Sequence, residues 1–210
     1  MIDYEKELNP EQRRVVFEEE GPLLIIAGAG SGKTRTLTYR VARLVESGVP
    51  SERILLATFT NKAARSMLSR VEMLIGHGIG GLWGGTFHHC AHLTLRSHAK
   101  RLDYENNFSI LDSEDSRQLL NTCIAETGID GKGDKFPRAD VIGDMIGFSV
   151  NTETPLSDVV ALRYPFFSHR MEEIDTVAVR YRKRKKELNV MDFDDLLFLW
   201  RELLLRFDDI

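Results

Sequence analysis

Residues 27–34 read Ala27-Gly28-Ala29-Gly30-Ser31-Gly32-Lys33-Thr34, and no other part of the chain says as much about its architecture. A short apolar run precedes this octet, and a segment of helical period follows it. A strand, a glycine-rich loop and a helix in this order predict a loop that wraps phosphate groups with backbone N–H groups, backed by the positive end of the helix dipole. The Lys33 ammonium would reach the β- and γ-phosphates of a nucleotide, and the Thr34 hydroxyl would be a ligand of Mg²⁺.

The octet departs from the usual pattern, Gly-x4-Gly-Lys-Ser/Thr, at its first position, where this chain has Ala27. Gly30, Gly32, Lys33 and Thr34 are in register with the pattern. The alternative interpretation is a glycine-rich turn with an incidental lysine. The apolar run on one side and the helical period on the other favour the phosphate-binding loop.

The composition is that of an ordinary globular protein, because 42% of the 210 residues are hydrophobic and 29% are charged. No apolar run approaches the roughly 18 residues that suggest a membrane span, and the charged N-terminus lacks the apolar core of a signal peptide. Cys90 and Cys123 lie far apart and form no Cys-x-x-Cys pair, which argues against a structural disulfide or a zinc site. We therefore expect a cytoplasmic protein that has no membrane partner.

Charge is unevenly distributed along the chain, whose net charge is −4. Residues 180–186 carry six basic side chains in seven positions, and the next stretch of the chain is rich in aspartate. This basic run has two interpretations. It could contact nucleic-acid phosphates, which reward clustered Lys and Arg through counterion release, or it could be a solvated helix face, as charge runs commonly are.

The first half of the chain alternates between two patterns. Apolar runs at 22–27, 54–59 and 82–86 predict buried strands, and each is followed by residues at helical spacing. A short helix over 9–20, with Asn9 as its N-cap and Pro10 at its first position, precedes them. Strands that alternate with helices predict an α/β fold, in which a parallel sheet is covered by helices on both faces.

The pattern changes near residue 110. Beyond it we predict helices only, the first capped by Asp112 or Ser113, with a flexible loop over 128–134 and further helices around 141–148, 174–188 and 196–207. The sequence therefore predicts two domains. Residues 1–110 would form the α/β domain, and residues 111–210 would form an all-α subdomain.

The predicted sheet is incomplete, because three parallel strands leave apolar edges exposed. We also find no apolar strand that ends in Asp or Asp-Glu, the second motif with which a phosphate-loop ATPase holds Mg²⁺ and positions the attacking water. The carboxylates of Asp192, Asp194 and Asp195 follow no apolar strand and predict a helix start, not a metal site. We expect the chain to be the front portion of a longer enzyme.

Further segments match one family in the order in which they occur along the chain. These segments are 8–12, 27–35, 58–64, 85–88 and 192–197. In them the chain resembles the N-terminal part of the UvrD/Rep/PcrA-type superfamily 1 DNA helicases. They look like that family's Q motif, motif I, motif Ia, motif Ib and the patch near the end of its helical insertion domain. The resemblance implies that the α/β domain is a RecA-like motor domain.

The resemblance also implies roles for individual residues at the nucleotide. Residues of the phosphate loop, together with Gln12 and Arg35, would bind ATP, and Lys33 and Thr34 would serve catalysis. The Gln12 amide would read the adenine edge, because it can donate and accept at once. The flat guanidinium of Arg35 would lie against the base. From the residues alone, Gln12 could instead be a surface helix residue.

Four further residues are implied to contact DNA. Phe59 would stack on a base, a contact that tolerates any sequence, and Asn61, Thr86 and His88 would contact phosphates or sugars. The family usually carries Ser after the motif Ib histidine, whereas this chain has His89, so the expectation rests on His88. The residues themselves leave other interpretations open, since Phe59 could cover the core of the sheet and His88 could be a helix residue without a ligand.

The resemblance implies an ATP-dependent, Mg²⁺-requiring DNA helicase or translocase of 3′→5′ polarity in DNA repair or replication. Its DNA partners would be single strands and junctions between single and double strands. ATP would lie between two RecA-like domains, and the acidic motif II and the second motor domain with its arginine fingers would lie beyond Ile210. We therefore expect residues 1–210 to bind Mg-nucleotide weakly and to hydrolyse it negligibly.

Three other interpretations are open at this point. A small-molecule kinase would also use the phosphate loop but leaves Gln12, Phe59 and Thr86 unexplained, and the ATPase of the complete protein would then ignore DNA. A non-catalytic DNA-binding module would use nucleotide only to switch its conformation, and it requires a chain complete at Ile210. A nuclease-fused relative of the RecB or AddA type would differ only in the residues beyond Ile210.

Overall fold

The computed structural model describes residues 2–18, 21–76, 80–129 and 136–210. Packing divides the chain into two compact units, Met1–Cys90 and Ala91–Ile210. The division precedes the position near 110 at which the sequence pattern changes. The assignment of 1–110 and 111–210 as domains stays a prediction.

The first unit holds a two-stranded parallel sheet among helices. Its elements are α1 Tyr4–Glu7, α2 Pro10–Phe17, α3 Lys33–Glu46, a 3-10 turn Ser51–Arg53, β1 Leu55–Thr58, α4 Asn61–Ile75, β2 Trp83–Thr86 and the first turn of α5 Phe87–His98. In the sheet, Leu55 pairs with Trp83 and Thr58 with Thr86. Because the strands are parallel, their carboxyl ends lie at the same edge.

One face of this sheet is covered. Leu56 points into a buried cluster with Val41 of α3 and with Met67 and Val71 of α4. On the opposite face Leu55 remains 50% exposed. The mixed α/β character predicted from the sequence is confirmed, whereas a sheet with helices on both faces stays a prediction.

The prediction of a strand over 22–27 is wrong for this structure. These residues have no regular secondary structure, and the side chains of Leu24 and Ile26 are 83% and 89% exposed. A strand forms only where a neighbouring strand satisfies its backbone groups, and within the described residues β1 and β2 pair with each other alone. The apolar run therefore has no ladder to join.

The helices of the first unit follow the predicted signals. Asn9 caps α2, accepting a hydrogen bond from the backbone of Gln12, and Pro10 occupies the first helical position. The helix α3 ends at Glu46, shortly before Gly48, and α4 is closed by Gly76 with φ of 82°. The other predicted helix stop for α4, Gly78, lies outside the described residues.

The second unit is mostly helical. Its elements are the remainder of α5, a 3-10 turn Ala99–Leu102, β3 Ser109–Ile110, α6 Ser113–Glu126, α7 Ala139–Thr152, α8 Leu156–Arg163, a 3-10 segment Pro165–Arg170, α9 Met171–Glu187, β4 Val190–Met191 and α10 Phe193–Arg206. One buried cluster joins Phe108, Met191 and Leu203, and another joins α6, α7 and α9 around Cys123, Ile142 and Val177. The predicted loop at 128–134 lies largely outside the described residues.

The prediction of an all-α second part requires a correction. Ser109 and Ile110 pair in parallel with Val190 and Met191, about eighty positions later. A two-residue strand carries too short a pattern to be recognised from alternation, which needs about four residues or more. The helix starts themselves are as predicted, since Asp112 caps α6 and Asp192 caps α10.

Candidate nucleotide-binding site and nucleic-acid interface

The glycine-rich loop ends where α3 begins, at Lys33. Gly30 and Gly32 both have left-handed backbone, with φ of 76° and 85°, which side chains rarely adopt. The Ser31 hydroxyl donates to the Gly28 carbonyl at 2.7 Å and closes the loop on itself. Among the described residues no side chain caps the first turn of α3, so its backbone N–H groups are available as donors to an anion.

A cleft of about 570 Å³ lies beside this loop. Its walls come from α2, from the apolar run before the loop and from the loop itself. The polar lining includes Gln12, Ser31 and Lys33, together with charged Glu11, Arg14 and Glu18. The cleft thus brings apolar side chains and polar groups together around one space, as small-molecule sites do.

The Lys33 side chain folds over the loop. Its ammonium donates to the carbonyl oxygens of Ala27 and Gly28 at 2.7 and 2.6 Å. The positive charge is therefore placed over the same stretch of backbone that the sequence predicts to hold phosphates. Thr34 is exposed in the first turn of α3.

Gln12 reaches the loop from α2, although it lies nineteen positions before Ser31 in the sequence. Its Nε2 donates to the Ser31 carbonyl at 3.1 Å, and its Oε1 accepts from the Asn9 backbone at 3.2 Å. Gly32 makes this approach possible, because a Cβ at Gly32 would lie 2.6 Å from Gln12 Nε2. The structure brings Gln12 to the glycine-rich loop, whereas the nucleotide contact that the resemblance implies for it stays a prediction.

Arg35 also lies near Gly32, since its Cβ is 3.9 Å from where a Gly32 Cβ would be. Residues that the sequence did not indicate hold its side chain. Its Nη2 donates to the Glu7 carbonyl oxygen at 2.8 Å and also contacts the Glu7 carboxylate. The Tyr39 hydroxyl donates to the same carboxylate at 3.1 Å. Nothing in the sequence pattern marked Glu7, because it precedes the recognised motif.

The four residues predicted to contact DNA gather at one edge of the small sheet. Phe59 and Asn61 follow β1, Thr86 ends β2, and His88 lies in the first turn of α5. The Phe59 ring is 94% exposed, which excludes the alternative that it covers the core of the sheet. Neighbouring His89 has a structural contact, since a Cβ at Gly85 would lie 2.5 Å from His89 Cδ2.

The aspartates near the end of the chain lie at the start of a helix, α10, as predicted. Asp192 and Asp195 form a reciprocal capping box at the N-terminus of α10. Lys185, only 3% exposed, lies between them with Nζ–O distances of 2.6 and 2.5 Å, and the Tyr181 hydroxyl donates to Asp192 at 3.0 Å. These carboxylates are therefore already compensated inside the second unit.

Their pKa values are shifted in opposite directions. Burial raises the pKa of Asp195 to about 6, and the negative charge of Asp192 adds to this effect. Burial also acts to raise the pKa of Asp192, but the charge and hydrogen bond of Lys185 outweigh it and the pKa is lowered. Burial raises the pKa of nearby Tyr104 and Tyr181 far above the usual range.

A further cavity, of about 430 Å³, lies in the second unit and does not suit a nucleotide. Carboxylates, including those of Asp140, Asp144 and Asp194, line it. Negative charge there opposes a phosphate group. The described residues contain no cluster of three or more His, Cys, Asp or Glu side chains that could hold a metal ion.

The basic run on α9 is largely paired within the second unit. Arg180 and Arg184 both contact Glu126, at 2.6 and 2.9 Å, and Lys186 contacts Asp103 at 3.0 Å. Charges that are already paired release fewer counterions when they meet DNA. The pairing favours the solvated helix face over a nucleic-acid contact.

No helix within the described ranges is both long enough and apolar enough to cross a bilayer.

Comparison with known proteins identifies the family to which this chain belongs. Residues 8–210 match the family model described as the UvrD/REP helicase N-terminal domain. The chain is 39% identical over 193 residues to the ATP-dependent DNA helicase PcrA of Staphylococcus epidermidis, covering 91% of this chain and 26% of that protein. It is 36% identical over 204 residues to PcrA of Staphylococcus aureus, covering 97% and 27%. The chain thus spans about a quarter of the length of the curated relatives it matches.

Proposed function

Because the chain belongs to the UvrD/REP helicase family, we propose that it forms the N-terminal part of an ATP-dependent DNA helicase. The parent protein would couple ATP hydrolysis to movement along single-stranded DNA in the 3′→5′ direction and would open duplexes at junctions. Its work would lie in DNA repair or replication. The first unit would be one RecA-like wall of the ATP cleft, and a second motor domain would supply the other.

The observation that carries this proposal is the convergence of Gln12 and the phosphate loop on one cleft. Gln12 donates a hydrogen bond to Ser31, Lys33 lies over Ala27 and Gly28, and Gln12, Ser31 and Lys33 all line the same cleft. Left-handed glycines and an uncapped helix start are the features that backbone recognition of phosphates requires. The site therefore fits a nucleoside triphosphate.

Each residue has a distinct task in this proposal. The backbone of the loop and the first turn of α3 bind and orient the phosphates, and Lys33 neutralises charge on the β- and γ-phosphates. Gln12, whose Nε2 retains a second hydrogen, reads the edge of the base. Thr34 would hold Mg²⁺ together with the phosphates, since Mg²⁺ is usually bound through few protein ligands, and the ion would neutralise charge during phosphoryl transfer.

We infer that the DNA strand runs along the edge that carries Phe59, Asn61, Thr86 and His88. An aromatic ring that is 94% exposed offers a stacking platform for bases of any sequence. The edge lies at the carboxyl ends of β1 and β2, the side of a parallel sheet on which ligands bind. Movement of this edge with the nucleotide cleft would step the strand.

We further infer that the catalytic carboxylates come from outside residues 1–210. Among the described residues, Asp192 and Asp195 are engaged by Lys185 and by their own helix start. A missing arginine finger alone reduces turnover by about 10³–10⁵-fold in related phosphate-loop enzymes. Residues 1–210 should therefore bind MgATP and turn it over negligibly.

ATP hydrolysis by this chain, with and without single-stranded DNA, tests the proposal, with Lys33→Ala as the control. We expect wild-type turnover to equal that of Lys33→Ala in both conditions. DNA-stimulated turnover that disappears in Lys33→Ala would contradict the inferred location of the carboxylates, and Asp192, Asp194 and Asp195 would then be tested. A parent protein whose ATPase ignores DNA would instead favour a small-molecule kinase.

A further inference from the structure

Glu7 accepts hydrogen bonds from two side chains of α3, those of Arg35 and Tyr39. The Arg35 guanidinium donates to the Glu7 backbone oxygen at 2.8 Å and also to the Glu7 carboxylate. The Tyr39 hydroxyl donates to the carboxylate at 3.1 Å, and Arg35 Cζ lies 5.2 Å from the centre of the Tyr39 ring. The Arg35 guanidinium is thus held by the Glu7 backbone oxygen, the Glu7 carboxylate and the Tyr39 ring.

The position of Glu7 is itself fixed by its neighbours. Leu8 follows it and is only 5% exposed, packed with Val16 and Tyr39. The Tyr4 hydroxyl ties the start of α1 to Glu46 of α3 at 2.7 Å. Glu7 is therefore anchored on both sides and can hold Arg35 in place, although the Arg35 side chain is 46% exposed.

The base of the Arg35 side chain lies beside the loop residue that Gln12 approaches. A Cβ at Gly32 would be 2.6 Å from Gln12 Nε2 and 3.9 Å from Arg35 Cβ, so the two side chains flank one point of the loop. Gln12 lines the cleft at this point. A planar guanidinium on a side chain that starts beside Gly32 can stack on a base whose edge Gln12 reads.

We propose that Glu7 is a positioning residue that pre-organises Arg35 for the nucleobase. This inference rests on the proposed function, because it assumes that the cleft takes ATP. A long arginine side chain that is free in solution loses rotamer freedom when it stacks, and a side chain fixed beforehand avoids that loss. The advantage of one immobilised side chain corresponds to about 3- to 10-fold in affinity.

The test compares two ligands, MgATP and Mg-tripolyphosphate, which lacks the base. We expect Glu7→Ala to weaken MgATP binding by about 3- to 10-fold and to leave tripolyphosphate binding unchanged. In an Arg35→Ala background, Glu7→Ala should cause no further loss, because its effect passes through Arg35. Glu5→Ala is the matched control, since Glu5 lies on the same short helix and pairs with Arg13 instead.

Glu7→Gln, which keeps the size of the side chain but not its charge, provides a second variant if Glu7→Ala fails to fold. Equal losses for both ligands, or losses in Glu7→Ala and Arg35→Ala that multiply, would show that Glu7 only holds α1 in place and would overturn the inference. Unchanged MgATP binding in both Glu7 variants would overturn it as well. A wild-type chain that binds neither ligand, or binds both independently of Lys33, would instead overturn the proposed function.

Discussion

Gly32 carries the tightest steric constraint in the phosphate loop. Its φ is 85°, and an added Cβ would lie 2.6 Å from Gln12 Nε2. We predict that Gly32→Ala lowers the free energy of unfolding by about 1–3 kcal/mol, the usual cost of left-handed backbone in a residue with a side chain. The same change displaces Gln12 and should weaken ATP binding. Denaturant unfolding and nucleotide titration measure the two effects.

Gly28 is the matched control for stability in the same loop. A Cβ there would meet no atom within 4 Å, and its φ lies outside the left-handed region. Gly28→Ala should therefore change the free energy of unfolding by less than about 0.5 kcal/mol. Equal destabilisation by both substitutions would show that the loop geometry described for Gly32 does not control its stability.

Lys185 is the most buried charge among the described residues, and it compensates two carboxylates. Removal of one partner from a buried ionic cluster leaves uncompensated charge in a poorly solvated place. We predict that Lys185→Met lowers the free energy of unfolding by about 3–5 kcal/mol. Thermal or denaturant unfolding of the second unit measures the loss.

Arg182→Met is the matched control for Lys185→Met, because Arg182 lies one turn earlier on the same helix and is exposed. We expect a change within about 0.5 kcal/mol for this surface substitution. If the two variants unfold alike, the cluster around Lys185 is not the source of stability that its burial indicates.

At the scale of the element, the N-terminus of α10 should respond to pH through Asp195. Burial raises the pKa of this carboxyl to about 6, above the value of an unfolded chain. The folded state therefore holds a proton that the unfolded state has already released, so the stabilisation is present at low pH and is lost as pH rises through 6. The opposite shift of Asp192 acts only below its ordinary pKa, outside this window.

Asp195→Asn isolates this effect, because an asparagine cannot titrate but can still accept the capping hydrogen bond from the Asp192 backbone. We predict that wild type loses about 1 kcal/mol of stability relative to Asp195→Asn between about pH 5 and pH 7.5. Unfolding curves of both proteins across this range measure the difference. If the difference in the free energy of unfolding between the two proteins is constant with pH, or changes in the opposite direction, the pKa of Asp195 is not raised by burial.

Elements specified by local signals were predictable from the sequence. Asn9 with Pro10, Asp112 and Asp192 are helix starts whose capping depends on a few adjacent residues. Strands depend instead on partners elsewhere in the chain. The apolar run at 22–27 was therefore predicted as a strand and is not one, whereas the pair β3–β4 was missed because each strand has only two residues.

At the scale of the whole molecule, the turn at Gly30 and Gly32 and the helix that follows it were predictable, because their signal lies in eight consecutive residues. Phosphate binding by this loop stays a prediction. A role for Gln12 at this loop was implied only by the resemblance to the helicase family, because no pattern of neighbouring residues connects positions 12 and 31. The contact between Glu7 and Arg35 and the pairing of the basic run with Glu126 could not be predicted. Such contacts depend on how helices far apart in sequence pack together.

The edge that carries Phe59 should dominate binding of single-stranded DNA. We predict that Phe59→Ala weakens binding of an oligonucleotide by about 5- to 100-fold, because each stacked base contributes about 1–3 kcal/mol. Leu162→Ala is the control, since Leu162 is 79% exposed but lies on α8 in the second unit. Fluorescence anisotropy at fixed salt measures both. Comparable affinities for the two variants would show that DNA does not use this edge.

We propose that the loop at 27–34 binds the phosphates of ATP. Titration calorimetry of MgATP into the wild-type chain and into Lys33→Ala measures this binding. We predict saturable binding by wild type and a loss of at least about tenfold in Lys33→Ala, because hydrogen bonds to charged groups contribute about 1.5–3 kcal/mol. Equal binding by the two proteins, or no binding by a folded wild-type chain, would contradict the claim.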